Sequence, residues 1–400
     1  MEAELRRAAG RTAAAVLAGV LAAGMLTGCG EKKLDGTKTV ATVNGTEIPM
    51  GVVSIAARQQ QAQMDAMYAS FTGSGVNIWD TVADEKTGET YGEQAAKDTL
   101  KQVELMYIMK DKAADYKVEV TEEDEKAIAE AAKAFMEANS EETIAELSVT
   151  EEQVKTYLEL QTYKQRIYNE IMDEAKVEVT DEEANQSSFT YVSISTSGED
   201  LTEDDKKKKK EQAQEILDKM KEDPTGDMSE AAKAADESYN ALTGTFTTAE
   251  SKEEDGDSAY YPKEVLEVLR GLKEGEMAPE VIETDTGYYV VRLDKKLDEE
   301  ATESKRESLE SEKKTEYYTE TTDKWLEDAE IKADDKVLKT LKITDEHKFT
   351  MKMPEAEATA TPEPTETAES KNGTASDFPV LFCRIKISRK GSIHGKEYNK

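Results

Sequence analysis

The strongest constraint on this chain is a change of grammar near residue 187, with helical spacing before it and strand alternation after it. Upstream, Thr121-Glu122-Glu123-Asp124, Thr150-Glu151-Glu152-Gln153 and Thr180-Asp181-Glu182-Glu183 each set a threonine ahead of acids or an amide. The threonine oxygen accepts from an orphan amide of the first turn, and the acids suit the positive helix end. Gln153 and Glu183 complete capping boxes. These signals predict helices over about 123–139 and 151–175 and a short one after 180. Further upstream, Val40 to Val43 alternates towards an Asn44-Gly45 turn, and Pro49 and Gly51 precede a helix over roughly Val52 to Ser70. Residues 71–90 read as a loop anchored by Trp79. From Tyr91 to Asp115 a helical period returns, with Leu100, Val103, Leu105, Met106 and Ile108 available for one face.

Downstream, Phe189 to Thr196 alternates as a strand. A charged run from Asp204 leads into a helix with Ala213, Ile216, Leu217 and Met220 spaced for burial, and Met228 to Ala235 gives a shorter helix. A strand through Gly244-Thr245-Phe246 follows, then a helix carrying Val265, Leu266, Val268, Leu269 and Leu272 that ends at Gly275. A last hairpin is written by Val281-Ile282, the turn Asp285-Thr286-Gly287, and Tyr288 to Leu293. That order describes a small α+β domain on an antiparallel sheet, over 187–297.

Composition excludes several function classes. With 86 acidic and 52 basic side chains and a net charge of -34, the chain cannot sheathe nucleic acid, which needs a basic surface. Two histidines and two cysteines leave no zinc set, no disulfide framework and no cofactor or metal site to expect. Both histidines, His347 and His394, fall outside the part that reads as folded.

The N-terminus carries Arg6, Arg7 and Arg11 before an apolar stretch from Ala13 to Met25, too short for a comfortable membrane span. It ends in Leu26-Thr27-Gly28-Cys29, which resembles the lipobox of bacterial lipoproteins. The resemblance implies a leader over 1–29, acylation of Cys29, a tether over 30–38 and residence on the extracytoplasmic face of the cell membrane.

The run LRGLKEGEMAPEVIET from Leu269 to Thr284, continued by GYYVVRL from Gly287 to Leu293, resembles the ending of the parvulin-type peptidyl-prolyl isomerases. Ser238, the Gly244-Thr245-Phe246 turn and the aromatic-led first strand fit the same template in order. Within that family the chain is similar to the membrane-anchored foldase lipoproteins of Gram-positive bacteria. Its helical region over 39–185 is similar to the chaperone-like part of those foldases and of periplasmic survival chaperones. The fold implied is α+β, a helical chaperone-like domain with the parvulin-like domain inserted. A charged helix over 298–335, with Tyr317, Tyr318, Trp325 and Leu326 on an apolar stripe, then packs back on the helical domain. Residues 336–400 read mostly as a disordered tail, low in complexity from 353 to 376 and basic at its end.

The chain departs from the family at its histidines, because Tyr191 and Tyr289 stand where the resemblance puts them. Glu237, Ser238 and Thr243 stand near the position of the family's cysteine or aspartate. The catalytic set implied is therefore Tyr191, Tyr289 and Ser238, over a proline pocket of Phe246, Leu266, Leu269 and Met277. Rotation about an X–Pro amide breaks no covalent bond, so tyrosines can serve where histidines orient a hydrogen-bond network. Tyrosines also pack on sheets for purely structural reasons. Two readings follow: a surface-anchored foldase with isomerase activity, and a peptide-holding chaperone without it. The partners implied are unfolded or partly folded secreted polypeptides and the lipid bilayer, and a homodimer through the helical region is compatible with both readings.

Overall fold

The computed structural model describes residues 20–23, 34–73, 75–198, 201–249 and 260–352. Strand β1, Val20–Ala23, comes first. β2, Thr39–Val43, and β3, Thr46–Pro49, form a hairpin whose Asn44-Gly45 turn takes positive φ at both residues, 50° and 84°. That turn matches the right-handed twist of the strands. Helix α1, Met50–Thr72, follows and is buried nearly all round in its first half, Ser54, Arg58, Gln59 and Gln61 included. The stretch expected as a loop holds a small hairpin, β4 (Val82–Asp84) with β5 (Glu89–Thr90).

Five capped helices come next. α2, Tyr91–Lys112, starts at a Thr90–Glu93 capping box, and α3, Glu122–Ala138, at a Thr121–Asp124 box. α4, Glu141–Leu147, which the periodicity did not announce, is capped by Ser140. α5, Glu151–Glu174, uses Thr150 and Gln153 as expected, and a single turn α6, Asp181–Ala184, uses Thr180 and Glu183. Each box satisfies two orphan amides, which is why the helix starts agree with the sequence to within a residue or two.

The sheet part begins at β6, Gln186–Ser195. It continues through α7, Glu203–Glu222, α8, Met228–Ala235, β7, Leu242–Thr247, α9, Lys263–Gly271, β8, Ile282–Thr284, and β9, Gly287–Lys295. The sheet is antiparallel throughout, in the order β7-β6-β9-β8. Alternation along β6 and β9 sorts the core into two clusters. Val192, Ile194, Tyr288 and Val290 face α7 and α8, whereas Phe189, Val291 and Leu293 face α9. The fold is thus α+β, a helical part and a small antiparallel sheet flanked by helices.

The chain then returns. α10, Glu299–Asp328, packs on α2 and α5 through Tyr318, with Trp325 edge-on to Tyr116 at 5.6 Å. β10, Ile331–Ala333, joins β2 as the third strand of the N-terminal sheet. The sheet part is therefore inserted between α6 and α10, and its two ends meet. Gln186 N–H donates to Thr302 Oγ1 at 3.0 Å, and Asp298 N–H donates to the Gln186 carbonyl at 2.8 Å.

Residues 336–349 correct the reading of a tail. After a turn of helix α11, Asp335–Leu338, the buried side chains Leu338, Leu341, Ile343, His347 and Phe349 fasten the segment to α1, and β11, Phe349–Lys352, ends the described chain. No helical or strand period marks the segment, so its apolar residues read as scattered. Close approach shows in Gly92, where a Cβ would sit 1.9 Å from the Ile343 carbonyl oxygen. His347, expected outside the fold, is buried against Arg58 and Glu146. Cys29, the residues around it and everything from 353 onward, His394 included, lie outside the described residues.

Glu104 on α2 is buried with no ion pair among the described residues, and burial pushes its carboxyl up to about 7, opposed by Lys101. The unfolded carboxyl ionises near 4.5, so the stability it withholds grows as pH rises from there through 7. Glu104→Gln is expected to raise stability by about 1 kcal/mol at pH 8, allowing for the share of the carboxylate that reaches water, and by almost nothing at pH 4. Urea denaturation at the two pH values measures the difference.

Candidate functional site

The candidate site lies on the α9 face of the sheet. β6 and β9 pair with Tyr191 opposite Val291 and Ser193 opposite Tyr289, so Tyr191 and Tyr289 are diagonal neighbours on one face. Their rings stack at 6.3 Å between centroids with planes 27° apart. Phe189, two residues before Tyr191, stacks on it at 5.2 Å. Tyr261 stands edge-on to both, 5.0 Å from Phe189 and 5.9 Å from Tyr191. Phe246 closes the group from below, edge-on to Phe189 at 5.7 Å.

Gly244 makes room for this arrangement. It lies opposite Phe189 in the sheet, and a Cβ there would be 2.4 Å from the Tyr261 hydroxyl and 2.8 Å from the Phe189 ring. Tyr261 directly precedes Pro262, the N-cap of α9, and Leu266 belongs to the same apolar cluster. That is the position of a hydrophobic staple, which fixes where the chain enters the helix.

Of the expected pocket, Phe246, Leu266 and Leu269 come together under the aromatic group, but each is at most 2% exposed. The floor is therefore sealed, and the surface open to a substrate is the half-buried rim of Tyr191, Tyr261 and Tyr289 with the exposed Leu242 beside it. Met277 is a correction. It belongs to the cluster under α7 and α8, on the opposite face, because it enters the sheet only through a bridge to Arg292.

Ser238 is not joined to the tyrosine pair. Its hydroxyl and its N–H both bond the Asp236 carboxylate, at 2.7 and 3.0 Å, in an exposed turn after α8. Those bonds hold the Asp236 carboxyl below its usual range, which is the behaviour of a turn-stabilising pair. Thr243 lies opposite Thr190, so its side chain is on the other face from Tyr191. Two residues at the site, Phe189 and Tyr261, were not singled out by sequence. The available signal was Tyr260-Tyr261-Pro262 immediately ahead of an apolar helix.

Chemically, the rim offers aromatic faces and phenol hydroxyls and no histidine. Burial, and to a smaller degree Tyr289, raises the Tyr191 hydroxyl above its ordinary pKa, so it is a neutral donor at physiological pH. Among the described residues no cluster of histidine, cysteine and carboxylate side chains is placed to hold a metal ion. Such a surface can pack against an apolar ring and donate a hydrogen bond from a phenol.

Residues 192–295 match the rotamase family, described as the PPIC-type PPIASE domain. Curated relatives include two proteins named foldase protein PrsA from Clostridium botulinum. One, of strain Langeland, is 26% identical over 217 residues, and one, of strain Hall, 27% over 221. Each alignment takes in 50% of this chain, and the chain spans only 60% of the length of these relatives. Among solved structures, the peptidylprolyl isomerase (PrsA) of Bacillus cereus is 17% identical with a TM-score of 0.27, over 77% of this chain and 98% of that one. The Bacillus anthracis protein of the same name is 16% identical with a TM-score of 0.24, over 57% and 95%. No helix among the described residues is long and apolar enough to cross a membrane.

Proposed function

We propose that this protein is an extracytoplasmic foldase, anchored through acylated Cys29, that holds non-native secreted polypeptides and accelerates rotation about their X–Pro bonds. Residues 39–185 with 298–335 serve as the holding part and 187–297 as the isomerase part. The observation that carries the reading is the stacked Tyr191–Tyr289 pair, with Tyr289 inside the PPIC-type segment and Tyr191 directly before its start, at the positions where the family resemblance puts histidines. The proline ring would lie on the tyrosine faces, because the apolar residues beneath them are sealed. A phenol O–H donating to the prolyl nitrogen, whose lone pair is freed as the C–N resonance is lost, would favour the twisted amide, whose uncatalysed barrier is about 18–20 kcal/mol.

The test is a protease-free isomerase assay of the full chain on short X–Pro peptides. Tyr289→Ala and Tyr191→Ala are each expected to lower the rate about tenfold, which corresponds to about 1.4 kcal/mol of barrier. Tyr289→Phe separates the hydroxyl from the ring. No rate above the thermal one, with a denatured client still kept from aggregating, overturns the isomerase half and leaves a holding chaperone. The sealed floor of Leu266, Leu269 and Phe246 is the observation that favours this second reading.

A further inference from the structure

Four residues of the N-terminal apolar stretch pair with the last described strand. Val20–Ala23 runs antiparallel to β11, with Val20 opposite Lys352, Leu21 opposite Met351, Ala22 opposite Thr350 and Ala23 opposite Phe349. The two strands make a sheet of their own, and among the described residues β11 has no other strand partner. A two-stranded ribbon alone is marginal in water, so something else must hold one of the strands.

That support belongs to β11. Phe349 is wholly buried, lies 4.8 Å beneath the Arg58 guanidinium, and has the His347 ring 5.2 Å away. The residues before it are tied to α1 by Arg58 and Gln61, which donate to the Lys342 and His347 carbonyls at 2.5 and 3.0 Å. β11 is thus a strand fastened by its own segment. β1 occupies the edge that remains, between β11 and α4.

We infer that the free edge of β11, with α4 beside it, is an acceptor site for an extended apolar segment of a non-native polypeptide. The leader fills this site in cis. The seated sequence, Val-Leu-Ala-Ala, has no charge and no side chain that hydrogen-bonds. Recognition therefore rests on the main-chain ladder, a mode tolerant of sequence, as a holder of unfolded chains requires. An edge left open after leader removal exposes a row of N–H and C=O groups, which invites strand addition. The inference rests on the foldase reading for its occupant, and on the pairing with β11 for its location.

The experiment uses the full-length chain and a fluorescein-labelled peptide carrying Ala18 to Met25, with two terminal lysines for solubility. A tethered competitor acts at an effective concentration on the order of mM, so the wild-type chain is expected to bind the peptide poorly. Leu21→Pro breaks β1 and is expected to tighten peptide binding at least tenfold by anisotropy. In that background Thr350→Pro and Met351→Pro are made separately. Alternate residues of a strand point their amides to opposite sides, so one of the two is expected to abolish binding. Hydrogen exchange of 349–352 needs no change in β11: Leu21→Pro should speed it and added peptide should slow it again.

Equal peptide binding by wild type and Leu21→Pro, or exchange at 349–352 unaffected by peptide, overturns the site. If the peptide binds at β11 but no form of the protein protects a denatured client, the site stands and the foldase reading falls. Protection of the client without peptide binding at β11 gives the reverse.

Discussion

Replacing Phe189 by alanine is expected to unfold the four-stranded sheet while the helical part stays folded. The ring is fully buried and touches Tyr191, Phe246 and Tyr261, so truncation removes the centre of the α9-side cluster. Phe→Ala in a well-packed core costs about 3–5 kcal/mol. A domain of this size is stable by roughly 5–10 kcal/mol, so most of the margin disappears. The two clusters of the sheet draw all their buried residues from 189–293, and the helical clusters draw none from there. Both tryptophans, Trp79 and Trp325, pack in the helical part. Thermal unfolding followed by circular dichroism should therefore gain an early step in Phe189→Ala that tryptophan fluorescence does not see. A single shifted transition by both probes would mean that the two parts unfold as one cooperative body.

The second large effect is expected at Arg58. Its guanidinium is 2% exposed and donates to Gln61 Oε1 at 2.8 Å and to the Lys342 carbonyl at 2.5 Å, with His347 Nδ1 3.3 Å away. Burial pulls its pKa down to about 10, against the attraction of Glu146. Arg58→Ala leaves the carbonyl and the amide oxygen without their donor and opens a cavity, at a cost of about 3–5 kcal/mol. The segment 335–349 should come loose, seen as a red shift of Trp79, whose backbone N–H donates to the Asp345 carboxylate at 3.2 Å.

Acid should act on the same place. Burial first, and then the Arg58 charge, depress the pKa of His347, and its 2.9 Å contact with Glu146 opposes them. The unfolded imidazole takes a proton near 6.5 and the folded one at lower pH. Its contribution is therefore intact above 6.5 and is lost as pH falls through the folded value. Arg58→Met removes one of the two depressing causes, so the variant should lose less stability between pH 7 and 5 than the wild type does. An equal or steeper loss in a urea series over that range would contradict this account.

Much of this architecture is readable because caps are local chemistry. A threonine three residues ahead of an acid needs no tertiary information to start a helix, and the same boxes also recur at Thr90–Glu93 and Thr202–Asp205. Strand parity likewise puts Tyr191 and Tyr289 on one face. Parity stops where the ladder stops. Met277 sits in the crossing before β8, so no alternation told which face it would join, and it joined the one opposite the tyrosines. Ser238 was adjacent in sequence to the right strand yet is committed to Asp236. The segment 336–349 was missed for a different reason. Its order depends on Arg58, almost three hundred residues upstream, whose buried charge requires partners that no local pattern reveals.

The meeting of Gln186 with Asp298 and Thr302 has a consequence for how such a protein can arise and change. An inserted piece whose beginning and end touch can be acquired, exchanged or deleted in one recombination event without re-threading what surrounds it. The α10 and β10 return would still find α2, α5 and β2 across the shortened junction.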